Sequence, residues 1–179
     1  RSKASDVSPE ITLFRMRRKD YFFNHWLKRS SGYPTWFGRL VRPQRVRVNR
    51  EINEEYITDG AASTLENHLE HHPFNKGIAW WFERHNRYST MEAKATFIEK
   101  NEPITWLALL SRDPTLRRRT LKRIAYRLPG RPFLVFFYLY IFRLGFMDGL
   151  GGFYYSLMRS SYELMIDLKV IESRLKRQN

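Results

Sequence analysis

Cysteine is absent from all 179 residues. That excludes a disulfide scaffold, a thiolate-bound zinc or iron–sulfur site and thiol catalysis, and it fits a reducing compartment. Acidic residues are scarce, with 18 Asp+Glu against 32 Lys+Arg and a formal net charge of +14. No Gly-rich phosphate loop, nucleophile elbow, internal repeat or low-complexity tract is present. The longest apolar run, Phe133 to Phe142, is about half of the roughly 20 residues that a membrane-spanning helix needs. The chain opens on Arg1 without Met and without a charged-then-apolar leader, and so reads as part of a longer protein. What is abundant is aromatic side chain, at 16% of residues.

Charge is arranged in blocks. Residues 1–50 carry net +10, residues 51–110 net −5, residues 111–132 net +7 and the remainder +2. This basic–acidic–basic order suggests an acidic site flanked by surfaces that meet polyanions or anionic lipid. A pI near 10.3 with interleaved aromatics also raises nucleic-acid binding as an alternative. The acidic middle block argues against it, because it would repel phosphate, and nucleic acid is not among the expected partners.

Periodicity predicts α+β architecture. Arg45 to Val48 alternates at period two, and so do residues 64–71, which put Leu65, Leu69 and His71 on one side and His68, Glu70 and His72 on the other. Asp59-Gly60 marks a turn between them. From Gly77 the period becomes helical, with Trp81, His85 and Tyr88 recurring, and only one of Trp80 and Trp81 can face a core. Asp113-Pro114 predicts a cap and first turn of a second helix, which ends by Leu128 to Pro132. The last helix carries Phe153, Leu157, Leu164, Leu168, Ile171 and Leu175 on one stripe. The apolar run reads either as a buried core helix or as a helix lying in a membrane interface, with Tyr138 and Tyr140 in the headgroup layer and the arginines before it on anionic lipid.

Two clusters invite chemistry. His68-Leu69-Glu70-His71-His72 offers three imidazoles and a carboxylate at a spacing that matches no strong zinc pattern. Glu51, Glu54 and Glu55 follow a strand end, where a carboxylate can act as a general base. His85-Asn86-Arg87 shares letters with a nuclease motif but sits inside a helical pattern.

Taken in order, several segments resemble the back half of bacterial family 2 glycosyltransferases, in the branch that builds lipopolysaccharide core and exopolysaccharide. They are Arg17 to Phe22, Trp26-Leu27, Gly32 to Trp36, Arg39-Leu40, Asn53-Glu54, Asp59-Gly60, Leu69 to Phe74 and His85 to Tyr88. Leu128 to Pro132, Tyr138 to Tyr140, Gly145 to Gly149 and Asp167 to Lys169 are similar to the helical extension of that branch. The resemblance implies the acceptor-side part of a GT-A-like domain over residues 1–76 and a helical, aromatic-rich extension over 77–179. It implies an inverting transferase that moves a sugar from a nucleotide-sugar donor to a lipid-linked or lipid A-core saccharide. Its place would be peripheral, on anionic lipid at the cytoplasmic face of the bacterial inner membrane. The donor half, with its DxD-type motif for Mg or Mn, is not in the chain, so the chain alone is expected to be inactive. A catalytically inactive membrane-docking or partner module is the alternative.

The family's His-Glu pair falls on Asn53 and Glu54, which makes Glu54 the expected base and Glu55 its reserve. His71 matches a family histidine that meets the metal or diphosphate. Trp26, Tyr33 and Trp36 are expected to stack on acceptor sugars, Arg39 and Arg42 to meet phosphate, and Phe136, Phe137 and Tyr140 to face the membrane.

Overall fold

The computed structural model describes residues 8–48, 56–101, 104–111, 113–128 and 130–178. All described strands precede the helices. β1 (Ile11–Phe22) is the central strand: it pairs antiparallel with β2 (His25–Trp26) and β3 (Thr35–Val41) and parallel with β6 (Ala61–His71). β4 (Val46–Val48) and β5 (Tyr56–Thr58) form a separate antiparallel pair. The helices are α1 (Ile78–Asn101), α2 (Pro114–Ala125), α3 (Arg131–Phe137) and α4 (Gly149–Gln178). The fold class is α+β, as the periodicity indicates, although β1 and β6 are longer than the short strands expected.

Alternation sorts the two faces of the sheet. Arg18 pairs with Leu69 and Asp20 with His71, and Arg18, Asp20 and His71 lie on the side toward the helices. Arg17 pairs with His68 and Lys19 with Glu70 on the opposite face.

The core lies between the sheet end, α1 and α4. Phe74, Trp81 and Ala93 pack with Met158, Tyr162, Ile166 and Val170, and Phe22 leans on the cluster from β1. Trp81 is the buried member of the tryptophan pair. Trp80 lies instead beneath Lys76 and Arg84, at 4.9 and 5.1 Å. On α4 the core stripe is therefore Met158, Tyr162, Ile166 and Val170, whereas Leu157, Leu164, Leu168, Ile171 and Leu175 face solvent. This helix is apolar on two sides. Lys169 ties it to α1, donating to Asn86 Oδ1, Ser89 Oγ and Thr90 Oγ1 at 2.7–2.8 Å.

Between α3 and α4 the chain turns sharply. A π-helical turn covers Tyr138–Phe142, Leu144 adopts φ 58°, and a 3-10 turn covers Gly145–Asp148. A Cβ on Gly152 would meet Gly145 O at 2.0 Å, so this packing admits only glycine there. Asp148 is buried, and its carboxylate accepts the N–H groups of Lys28, Arg29 and Ser30 and the Ser30 hydroxyl, at 2.8–3.2 Å. Consecutive backbone N–H groups aimed at one anion form a nest. Here the anion is the chain's own side chain, and it anchors the start of α4 to the loop after β2.

Asp148→Ala leaves these donors without an acceptor, at about 1–3 kcal/mol for each buried one. The expected result is a loss of about 3 kcal/mol or more of stability, with Asp148→Asn intermediate because one acceptor oxygen survives. Urea unfolding of the three proteins side by side checks it.

Candidate functional site

A cleft of about 810 Å³ opens between the helix-facing side of the sheet and the paired helices α1 and α4. Its floor holds a histidine–carboxylate pair. His71, at the end of β6, places Nδ1 2.6 Å from Oδ1 of Asp20, which the parallel register sets directly opposite. Asp20 is almost fully buried, and Arg18 Nε reaches the same carboxylate at 3.0 Å. With Nδ1–H donated to Asp20, Nε2 is the acceptor of the ring. That second-partner arrangement orients a histidine for proton transfer or for binding a metal.

The walls combine cations with rings. Arg18 and Arg39 flank the Phe37 ring at 4.0 and 5.5 Å. From α1, Arg84 lies over Tyr88 and donates from Nε to its hydroxyl at 2.8 Å. From α4, Arg159 lies 5.3 Å over Tyr162 and 3.7 Å from Glu163. Arg18, Arg39, Arg84 and Arg159 all line the cleft. Stacking fixes the planes of these guanidinium groups, and each also has a polar partner in the protein: Asp20 for Arg18, the Gly38 carbonyl for Arg39, the Tyr88 hydroxyl for Arg84 and Glu163 for Arg159. A guanidinium suits planar recognition of carboxylate or phosphate.

His85 belongs to the same cleft. It stacks on Trp81 at 3.6 Å between centroids, meets the edge of Tyr162 at 5.2 Å and donates Nδ1–H to the Trp81 carbonyl at 2.8 Å. Burial, helped by Arg159 and Arg84, pulls its pKa down to about 4. Burial also pushes the Tyr155 and Tyr162 phenols up. The cleft thus presents fixed guanidinium charge beside neutral imidazole and phenol.

The residues singled out from sequence divide among several places. His71, Trp36 and Arg39 line the cleft. Trp26 and Tyr33 sit elsewhere: Trp26 meets Tyr33 edge to face, Lys19 lies 4.7 Å over Trp26, and the Tyr33 hydroxyl bonds His68 Nε2 at 2.7 Å. Because Lys19 and His68 belong to the opposite face of the sheet, these rings form a second cluster away from the cleft. Arg42 does not line the cleft either; its Nε donates to the Ile11 carbonyl at 3.0 Å and so staples β3 to β1. Glu54 and Glu55 lie outside the described residues. Tyr56, the next residue, lines the cleft.

The expected membrane-facing trio also divides. Phe136 and Tyr140 stack on each other and pack against Phe153, which makes them the inner side of the turn. Phe137 is 53% exposed and belongs with Phe133, Phe142, Met147 and Leu150, which are 60–78% exposed at the same bend. The division follows from helical spacing, since one side of α3 covers α4.

Sequence reading passed over Arg18, Asp20, Arg84 and Arg159 as site residues. Asp20 lies inside a segment already noted, but its role depends on a parallel pairing 51 residues away. Among the described residues, no three His, Asp or Glu side chains converge to hold a metal. His71 offers one ligand, and further ligands would have to come from residues outside this cluster.

No protein-family model, curated protein or solved structure matches the chain.

The His85 environment sets a pH dependence. Its folded pKa of about 4 lies below the ordinary 6.5, so between these values the unfolded chain binds the proton that the folded chain refuses. Stability due to this group is therefore full above pH 6.5 and declines as pH falls toward 4. In His85→Gln this part of the decline should vanish, as read from chemical-denaturation midpoints between pH 7 and 4.

Proposed function

We propose that this chain is the acceptor-side portion of an inverting glycosyltransferase that works at the cytoplasmic face of the bacterial inner membrane. Its acceptor would be a lipid-linked or lipid A-core saccharide that carries phosphate or carboxylate. One observation supports this most directly: a single cleft combines four stacked guanidiniums with aromatic rings and the Asp20–His71 pair. Arginines recognise the anionic groups of such an acceptor, and Trp36 and Tyr88 offer ring faces to sugar. The resemblance to family 2 enzymes supplies the rest. Glu54, two positions before cleft-lining Tyr56, would take the proton of the acceptor hydroxyl. Nucleotide sugar and a divalent metal would be held mainly by the donor half of a complete enzyme, with His71 the residue here that fits the edge of that site.

The bend between α3 and α4 supports peripheral attachment. Among the described residues no single helix is long and apolar enough to cross a membrane. The segments 131–142 and 145–177 meet at 73° and reach that apolar content only together. Phe133, Phe142, Met147 and Leu150 project from the turn, each at least 60% exposed. Aromatic and aliphatic side chains around such a turn insert into the interface, while basic residues of α2 meet anionic headgroups at about 1 kcal/mol each. Arg131 is not among them, since it is buried against Glu163 and Asp167. This feature alone would equally serve an inactive docking module, and the two readings part at Glu54.

In a complete chain carrying the donor half, Glu54→Gln should lower turnover by about 100-fold or more and leave nucleotide-sugar binding unchanged. Activity within a few-fold of the parent removes Glu54 from the mechanism and favours the docking module. Attachment is tested separately by vesicle flotation. The chain should float with anionic vesicles, release in high salt, and float poorly once Phe133, Phe137 and Phe142 become Ser.

A further inference from the structure

α4 carries a stripe that neither the core nor the cleft uses. Leu150, Tyr154, Leu157, Ser161, Leu164, Leu168, Ile171 and Leu175 follow one another at alternating spacings of four and three residues. That is the a/d spacing of a two-stranded coiled coil, sustained over three and a half heptads. All of it lies opposite the core stripe Met158, Tyr162, Ile166 and Val170. Ser161 interrupts the apolar series, and its hydroxyl bonds its own helix at the Leu157 carbonyl, 3.0 Å away. The stripe therefore has two parts. Leu150, Tyr154 and Leu157 continue the apolar bend, whereas Leu164, Leu168, Ile171 and Leu175 form a separate seam, 46, 55, 50 and 56% exposed. Residues 171–177 are all exposed, and although Arg177 lies 4.5 Å over the Phe97 ring of α1, the Leu164–Leu175 side is open to a partner helix.

We propose that this seam pairs with the same seam of a second copy, the two α4 helices running antiparallel. The flanking charges select both the partner and the direction. In a parallel pair, Asp167 of one chain would face Glu172 of the other, twice over, and like charges oppose pairing. Antiparallel pairing that sets Leu168 against Ile171 and Leu164 against Leu175 instead brings Asp167 of each chain toward Arg174 of the other. Asp167 keeps its contact with Arg131 at 3.6 Å on the body side and so adds a second cation across the seam. Met165 and Glu172 meet on the other flank, with no like charges opposed. Both helices are already folded on their own bodies, so pairing incurs no cost of forming the helix. The contact is small, and the dimer should accordingly depend on concentration.

Sedimentation equilibrium in buffer free of lipid and detergent tests the pairing. The average mass should rise with concentration toward twice that of one chain. Leu168→Glu with Ile171→Glu should hold the chain at single mass with an unchanged circular dichroism spectrum, because both side chains are exposed. Orientation is read by disulfide trapping, which is clean because the chain has no cysteine. A mixture of Leu164→Cys and Leu175→Cys chains should cross-link to each other, and Leu164→Cys alone should not. Phe142→Ser, at the bend, should dimerise like the parent. Single mass at every concentration, a dimer that survives the double Glu variant, efficient Leu164→Cys homodisulfides, or a dimer lost on Phe142→Ser would each overturn the proposal.

Discussion

The carboxylate of Asp148 holds the two halves of the molecule in place. Three successive backbone N–H groups and a hydroxyl from the loop after β2 converge on it. Those bonds fix where α4 begins. α4 then lays Met158, Tyr162, Ile166 and Val170 against Phe74 and Trp81, and Lys169 locks it to α1 further along. The cleft exists because α1 and α4 are held over the sheet at that distance. Arg18 and Asp20 come from β1, His71 from β6, Arg84 from α1 and Arg159 from α4. A site drawn from these elements, with β3 adding Trp36, Phe37 and Arg39, is only as well placed as the anchor that sets the last of them.

Local patterns were readable wherever one period dominated. The strand at Val46–Val48, the helix from Ile78 and the Pro114 helix start all announce themselves by alternation, periodicity or a cap. The central tie was harder to see. Asp148 sits among Gly145, Gly149, Gly151 and Gly152, and glycines so dense beside one carboxylate signal a close backbone approach, but they do not say to what. His71 stood out by its place on a strand, whereas its partner Asp20 became evident only once β1 and β6 were seen to pair in parallel.

The apolar stripe on α4 shows the limit of reading hydrophobicity as burial. Leu157, Leu164, Leu168, Ile171 and Leu175 form the more regular apolar series, yet the side turned to the core uses Met158, Tyr162, Ile166 and Val170. Periodicity locates faces; it does not rank them when a helix has two. Phe136 and Phe137 repeat the point at the scale of neighbours, one packed on Phe153 and the other half in solvent.

The bonds to Asp148 span 118 to 120 residues of chain. During synthesis at about 5–20 residues per second, residues 28–30 emerge well before their acceptor, and the sheet must wait with its helix-facing side uncovered. β1 and β6 can pair in that interval, but their inner face stays wet until α4 arrives. The thirty residues of α4 thus complete the fold rather than decorate it, and a ribosome that stops before them leaves the sheet end at Phe22 and Phe74 uncovered. Such a chain is a natural client for a chaperone that holds exposed hydrophobic surface until α4 has emerged.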